Sequence, residues 1–351
     1  MKAKHRSIEE HRILYNEIFK ELKTSINFEG VGPSIYFSLK AIFFAGVTLW
    51  SYFGILSIQN TFWYILNFML FGYLCVLMCF NFAHDLSHNS IFKKPAINNV
   101  FFEFLYALVG AHPEAWKKRH VHSHHFAPNV KNFDTDLAIT GLIRVLPESP
   151  LKWYHRYQWL YASIAYSTYS LYWVFIKDFV VLKHYAPALV KRQWSYYIKF
   201  VIVKLFYLGL LILLPMIYSP QSVVVVVLAF ISMHLFQSLY TLFTFFITHH
   251  VKGSNYPKTD SDGIIDTSWF MNQIKSSNDF HPFSHIANFI FGGVNCHIAH
   301  HLYPHINHYY YPQVNKILYR HLREHNIEPN ITSYFGGVIS HLRHLKGLGQ
   351  Y

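Results

Sequence analysis

His297, His300 and His301 fall in the run "NCHIAHHLYPH", and His305 follows closely. Three other runs are similar: "HDLSH" (His84, His88), "HVHSHH" (His120, His122, His124, His125) and "THH" (His249, His250). The chain has 25 histidines in 351 residues. Residues three or four apart share a helix face. That spacing relates His84 to His88, His120 to His124 (with His125 adjacent), and His297 to His300 and His301. Eight imidazoles can therefore converge, and His249 would make nine. That is too many for one ion of four to six ligands and suits two. Imidazole suits zinc, copper, iron and nickel. Zinc sites usually take four ligands, often with Cys among them. An all-nitrogen set for two ions points to a redox metal, iron being the commonest oxygen-activating choice.

Isolated histidines carry no such signal. His5, His11, His112, His155, His184, His325 and His341 read as structural. His234 stands alone in a long apolar stretch, where it bonds another helix or lines a tunnel. His305 and His308 are candidates to support the ligands from outside. So are Asp85, beside His84, and Asn295, since a ligand imidazole is usually oriented by a partner on its other nitrogen.

The elements that must position these rings are membrane helices. The chain is 52% hydrophobic and only 14% charged, against about 25% charged in a soluble domain. Four stretches are long and apolar enough to cross a bilayer, at about 35–56, 61–83, 196–218 and 222–248. They form two hairpins with short turns at 57–60 and 219–221. Residues 41–92 and 205–251 contain no Lys or Arg, although the chain has 30 and a formal charge of +12. The positive-inside rule then places both turns outside, and both termini and all histidine clusters in the cytosol. The excess charge suits an anionic membrane surface; no basic-aromatic nucleic-acid motif accompanies it.

Residues 157–176 are uncharged but rich in Tyr and Ser, and read as a segment at headgroup level. A crossing there would move Lys177, Lys183, Lys191 and Arg192 outside. Residues 100–111 are too short to span, and read as re-entrant or interfacial. The charged first 25 residues read as a surface helix and not as a signal peptide. Cys75, Cys79 and Cys296 form no CxxC pair and read as small buried residues. The expected architecture is all-α: four spans, interfacial helices, and a cytosolic helical cap from 84–195 and 249–351. The whole chain, 1–351, reads as a single membrane domain.

These residues resemble the integral-membrane fatty acid desaturase superfamily, with its three histidine boxes. "NFAHDLSHNS" is similar to the first box, and "WKKRHVHSHHFAPNVKNFDTDL" to the second with its downstream Asn and DxDL. "GGVNCHIAHHLYPHINHYYYPQV" is similar to the third, in a form near the acyl-CoA and acyl-lipid front-end (linoleoyl-CoA-type) branch. The resemblance covers about 35–325. It implies that the histidines hold two irons on the cytosolic face of four spans, and that O2 is co-substrate. Many front-end members have Gln where His297 stands. Some have Asn four residues before the histidine that ends the fourth span; here that residue is Phe245, so His250 competes with His249.

The implied reaction removes two hydrogens from an unactivated acyl chain. Reducing O2 to two waters takes four electrons; the substrate gives two and a donor two. The acyl group would ride on CoA, carrier protein or lipid. Many members carry a fused cytochrome b5 domain with an HPGG motif. None is seen here, which implies a separate ferredoxin or cytochrome b5. Acyl hydroxylases and carotenoid ketolases or hydroxylases use the same boxes and are the nearest alternatives. A metal transporter would place its ligands near the bilayer midplane, where only His234 lies.

Overall fold

The computed structural model of the protein describes residues 4–137, 141–185 and 193–350. Lys191 and Arg192 lie outside the described residues, as do the side chains of Lys183 and His184. The fold is mostly helix, with almost no sheet. Among the described residues, four helices are long and apolar enough to cross a membrane: Gly32–Ser57, Thr61–Ser87, Trp194–Tyr218 and Val223–His249. They fall within a few residues of the sequence-based spans. The second runs four residues further than expected, through a π-helical turn at Cys79–Ala83, and carries His84 at its end.

The helix starts follow from local chemistry. The Asn60 side chain accepts from the Trp63 N–H, and Ser222 Oγ from the Val225 N–H. Each satisfies a backbone donor that the first turn leaves free. The two hairpin turns also touch. Gln221 Nε2 donates to the carbonyls of Ile58 (3.0 Å) and Gln59 (2.6 Å), and Thr61 Oγ1 donates to Gln221 Oε1 (3.1 Å). Both turns thus lie at one end of the bundle, and the histidine-bearing ends of the second and fourth spans at the other. Ile55, Tyr64, Phe68, Tyr207 and Met233 pack between the spans. Leu39, Ile42, Trp50, Leu205, Ile217, Val224 and Leu228 are exposed on their outer faces, as a lipid-facing surface requires.

Residues 157–176 pack against the fourth span. The helix Gln158–Ser167 ends at Thr168, and the next residues insert among the spans. Ser170 N donates to Ser238 Oγ (2.9 Å), and Ser170 Oγ lies 2.7 Å from His234 Nδ1. His234 also meets Tyr207 Oη of the third span at 2.8 Å, one of the two roles expected for it. The Tyr and Ser content is explained by these protein partners. A broken helix among spanning helices needs protein partners for its polar groups.

The cap packs on the histidine end. Helix Pro95–Leu108 is too short to cross, and its Glu103 pairs with Lys199 of the third span at 2.8 Å. The first helix, Glu9–Ser25, is more than a surface element. Leu14, Ile18 and Leu22, at i, i+4 and i+8, are buried against Ile298, Leu318 and Leu322. Two short parallel strand pairs complete the cap: Lys4–His5 with Ile264–Ile265, and Asn278–Phe280 with Asn330–Thr332 in register Asn278↔Asn330.

Candidate metal centre

Four separate segments deliver the rings. His84 and His88 lie at the end of the second span, beyond its π-helical turn. His120, His124 and His125 lie on a second π-helical turn, His120–His124, closed by His125 N–H donating to the His120 carbonyl. His249 ends the fourth span. His297, His300 and His301 lie on the short helix His297–Leu302. Single π turns inside α-helices frequently occur at functional sites.

The rings gather into two groups of four. One is His84, His88, His120 and His300; the other is His124, His249, His297 and His301. Within each, one nitrogen per ring lies within 4.8 Å of the others. Two ligands on opposite sides of one ion stand about 4.2 Å apart, at metal–nitrogen distances of about 2.0–2.1 Å. Each group is therefore about the size of a one-ion shell. His125 lies between them. Its Nε2 is 3.2 Å from His120 Nε2 and 3.0 Å from His300 Nε2, and its ring stacks on His301 at 4.4 Å. Shared helix faces hold for His84 with His88 and for His297 with His301. His120 and His124, whose rings stack at 5.4 Å, go to different groups, as do His297 and His300, so a shared face does not by itself assign two rings to one group.

The donor chemistry fits cations. His249 Nδ1 faces the Ser276 carbonyl at 2.8 Å, an acceptor only, so that nitrogen carries the proton and Nε2 presents a lone pair. That one lone pair faces two nitrogens, His297 Nε2 at 2.7 Å and His124 Nε2 at 2.9 Å. It can accept from one donor, not two, whereas a cation among the three satisfies all. His301 is held likewise, with Nδ1 2.8 Å from Gln273 Oε1 and Nε2 3.1 Å from His297 Nε2. In the first group His84 Nε2 lies 3.2 Å from His120 Nε2, and His88 Nε2 is buried without a hydrogen-bond partner.

Burial first, then the neighbouring imidazoles, hold His88, His120, His125, His297, His300 and His301 well below the ordinary histidine range. Rings kept neutral are the form that binds metal. Burial would lower His124 too, but the charge and hydrogen bond of Asp134 reverse this and raise it.

The supporting residues differ in part from those read in the sequence. Asp85 turns to His308, accepting from its backbone N–H (3.0 Å) and facing its Nδ1 (2.8 Å); it touches no ring of either group. His308 Nε2 in turn lies 2.9 Å from Lys40 Nζ. Asn295 reaches the His281 carbonyl and Cys296 Sγ, and likewise no ring of either group. Neighbours in sequence point about 100° apart on a helix, so adjacency to a ligand does not bring contact with it. His250 faces away, with Nδ1 3.0 Å from Tyr256 Oη.

The partners that do touch the rings are Asp134 on His124 (2.9 Å), Asp136 on His120 (3.2 Å), Gln273 on His301 and Tyr311 on His300 (3.1 Å). The two aspartates were visible as the DxDL of the second box, without a role. Asp279 was not foreseen. Its Oδ1 accepts from the Ile298 N–H (2.8 Å) and its Oδ2 from Tyr319 Oη (2.8 Å), anchoring the third histidine helix. Burial raises its carboxyl to about 7.

An apolar cavity opens beside His84, and a second cavity lies beside His124 and His249. Trp116, Tyr169, Trp173, Thr241 and Phe245 line both, so the two adjoin. Arg119, Asp136 and Lys177 line only the second.

Known proteins share this arrangement of sequence. A family model described as fatty acid desaturase matches residues 60–333. The acyl-lipid (8-3)-desaturase of Physcomitrium patens is 27% identical over 97% of this chain and 72% of its own length. The sn-1 linoleoyl-lipid 6-desaturase of a Synechocystis strain is 26% identical over 82% of this chain and 80% of its own. For acyl-lipid (8-3)-desaturase B of Dictyostelium discoideum the figures are 27%, 80% and 63%. With most of its length under that one model, the chain belongs to the fatty acid desaturase family.

Proposed function

We propose that this membrane desaturase inserts a carbon–carbon double bond into an acyl chain carried on a lipid, using two irons, O2 and two electrons from a ferredoxin or cytochrome b5. The observation that carries the reading is the pair of four-imidazole groups with lone pairs converging beside an apolar cavity. His84, His88, His120 and His300 would hold one ion, and His124, His249, His297 and His301 the other, with His125 reaching the first from between them. When bound, the iron pair supplies the oxidising power that an unactivated C–H bond demands.

The chain's own residues do the rest. Asp134, Gln273 and the Ser276 carbonyl fix which nitrogen of each ring faces inward. The Trp116, Trp173 and Phe245 walls hold an alkyl chain beside the rings and exclude water. The names of the relatives above support a lipid-borne acyl group. The basic-free windows around both turns support a cytosolic site.

The test is expression in a host lacking the activity. Fatty acid methyl esters are then resolved by gas chromatography with double-bond mapping, and iron is assayed in the purified protein. A new double bond and about two irons per chain are expected. A hydroxylated product, or zinc without iron, overturns the reading.

A further inference from the structure

Lys177 ends the π-helical turn Trp173–Lys177 and lines the cavity beside His124 and His249. It is only 7% exposed. We infer that its ammonium, with Arg119 of the same cavity, binds the carbonyl oxygen at the carboxyl end of the acyl chain and so fixes which carbons lie beside the rings. The inference rests on the acyl desaturation proposed above.

The charges in this cavity do not balance. Lys177 and Arg119 are both buried, and among the described residues Asp136 is the one carboxylate that lines the cavity with them. Asp136 is already divided: its Oδ1 stands 3.7 Å from Arg119 Nε, and its Oδ2 faces His120 Nδ1 at 3.2 Å. Arg119 Nε is itself buried without a hydrogen-bond partner. Among the described residues the Lys177 ammonium donates only to Tyr169 Oη, at 3.0 Å. Otherwise it lies near ring faces, 5.4 Å from the centre of Tyr169 and 5.8 Å from that of Trp173. The carboxylate next in sequence, Asp178, is taken by Lys204 Nζ at 2.7 Å and Trp173 Nε1 at 2.9 Å. An ammonium carries three donors, so two are left for a ligand. A buried cation is costly unless acceptors surround it.

A carbonyl oxygen suits this set better than a phosphate. The remaining walls are largely apolar, from Trp116, Leu242, Phe245 and Phe246. A phosphate would bring full negative charge against those walls and against Asp136. A carbonyl brings a neutral dipole with two lone pairs, one for each cation. Trp116, Tyr169 and Trp173 also line the cavity beside His84. An acyl chain held by its carbonyl at Lys177 therefore runs past the rings into that adjoining space. The number of carbons between the held oxygen and the rings then sets where the double bond falls.

Three probes of one chain length separate the possible ligands: a monoacylglycerol, the matching alkylglycerol ether without the carbonyl, and the alkylglycerol phosphate. Binding to purified protein is read from tryptophan fluorescence, since Trp116 and Trp173 line both cavities. A hydrogen bond to a charged group supports about tenfold or more in affinity. The wild type should bind the ester by at least that factor over either ether. Lys177→Met keeps the alkyl stem and loses the charge, and should bind ester and alkylglycerol alike. Lys177→Arg should restore the preference. In an expression host, Lys177→Met should also spread the double bond over neighbouring positions. A wild type that binds ester and alkylglycerol alike overturns the site, whether or not the variants fold. So does a Lys177→Met protein that keeps the preference. Preference for the alkylglycerol phosphate, lost in Lys177→Met, assigns the cation to a phosphate and equally overturns the inference. Carbonyl-selective binding by a wild type that forms no double bond overturns the desaturase reading alone.

Discussion

His249 and His250 are neighbours, yet they face different surroundings. His249 Nε2 points at two other imidazole nitrogens, while His250 bonds Tyr256. His249→Ala is therefore expected to lose about half of the bound iron and all activity, and His250→Ala to keep both ions. Elemental analysis of the two proteins separates them; equal iron in both would remove His249 from the centre. Asp134 gives a graded test. It orients His124 and also accepts from the Asn129 N–H at 3.0 Å. Replacing such a partner typically weakens metal affinity by about 10–100-fold. Asp134→Asn should show that loss in a chelator competition while the protein still inserts.

At the level of elements, one glycine locates a close approach between helices. Gly292 ends the helix His285–Phe291 with φ of +58°, and a Cβ there would meet the Phe80 carbonyl oxygen at 2.4 Å and Asn81 Cα at 2.6 Å. Both contacts are backbone of the π turn that precedes His84, so neither can swing aside. Gly292→Ala should cost about 1–3 kcal/mol, as overpacking does, and displace His84. A thermal unfolding scan in detergent and an iron assay check both parts. The spans were legible in the sequence because apolar runs of about twenty residues have few other uses. The two pairings His84–His88 and His297–His301 were legible because they follow the α-helical period. The splits of His120 from His124 and of His297 from His300 were not, since spacing on one helix does not say which of two groups a ring joins. Gln273 and Ser276 were invisible for another reason: they reach their rings from 27 or 28 residues away, through cap packing that no local pattern encodes.

For the whole molecule, the hydrogen-bonded turns at 57–60 and 219–221 make sidedness a single question. Cysteines introduced at Gln59 and Gln221, with Cys79 replaced by Ala, should react with an impermeant reagent from outside intact cells. Cysteines at the exposed Lys94 and Glu328 should react only after permeabilisation. Labelling of Glu328 from outside would separate the cap from the cytosol. The order of synthesis adds a constraint of its own. Each four-ring group draws on both halves of the chain: His300 completes one, and His249, His297 and His301 complete the other. At about 5–20 residues per second, roughly 10–40 s pass between the emergence of His120 and that of His300. Throughout that interval neither group has all four of its rings. On the proposed reading, ions reach complete four-ring sites only after the spans are in place, as a late fastener. Because bound metal stabilises only the completed cap, an iron-starved cell should accumulate chains whose spans resist protease while the cap is cut.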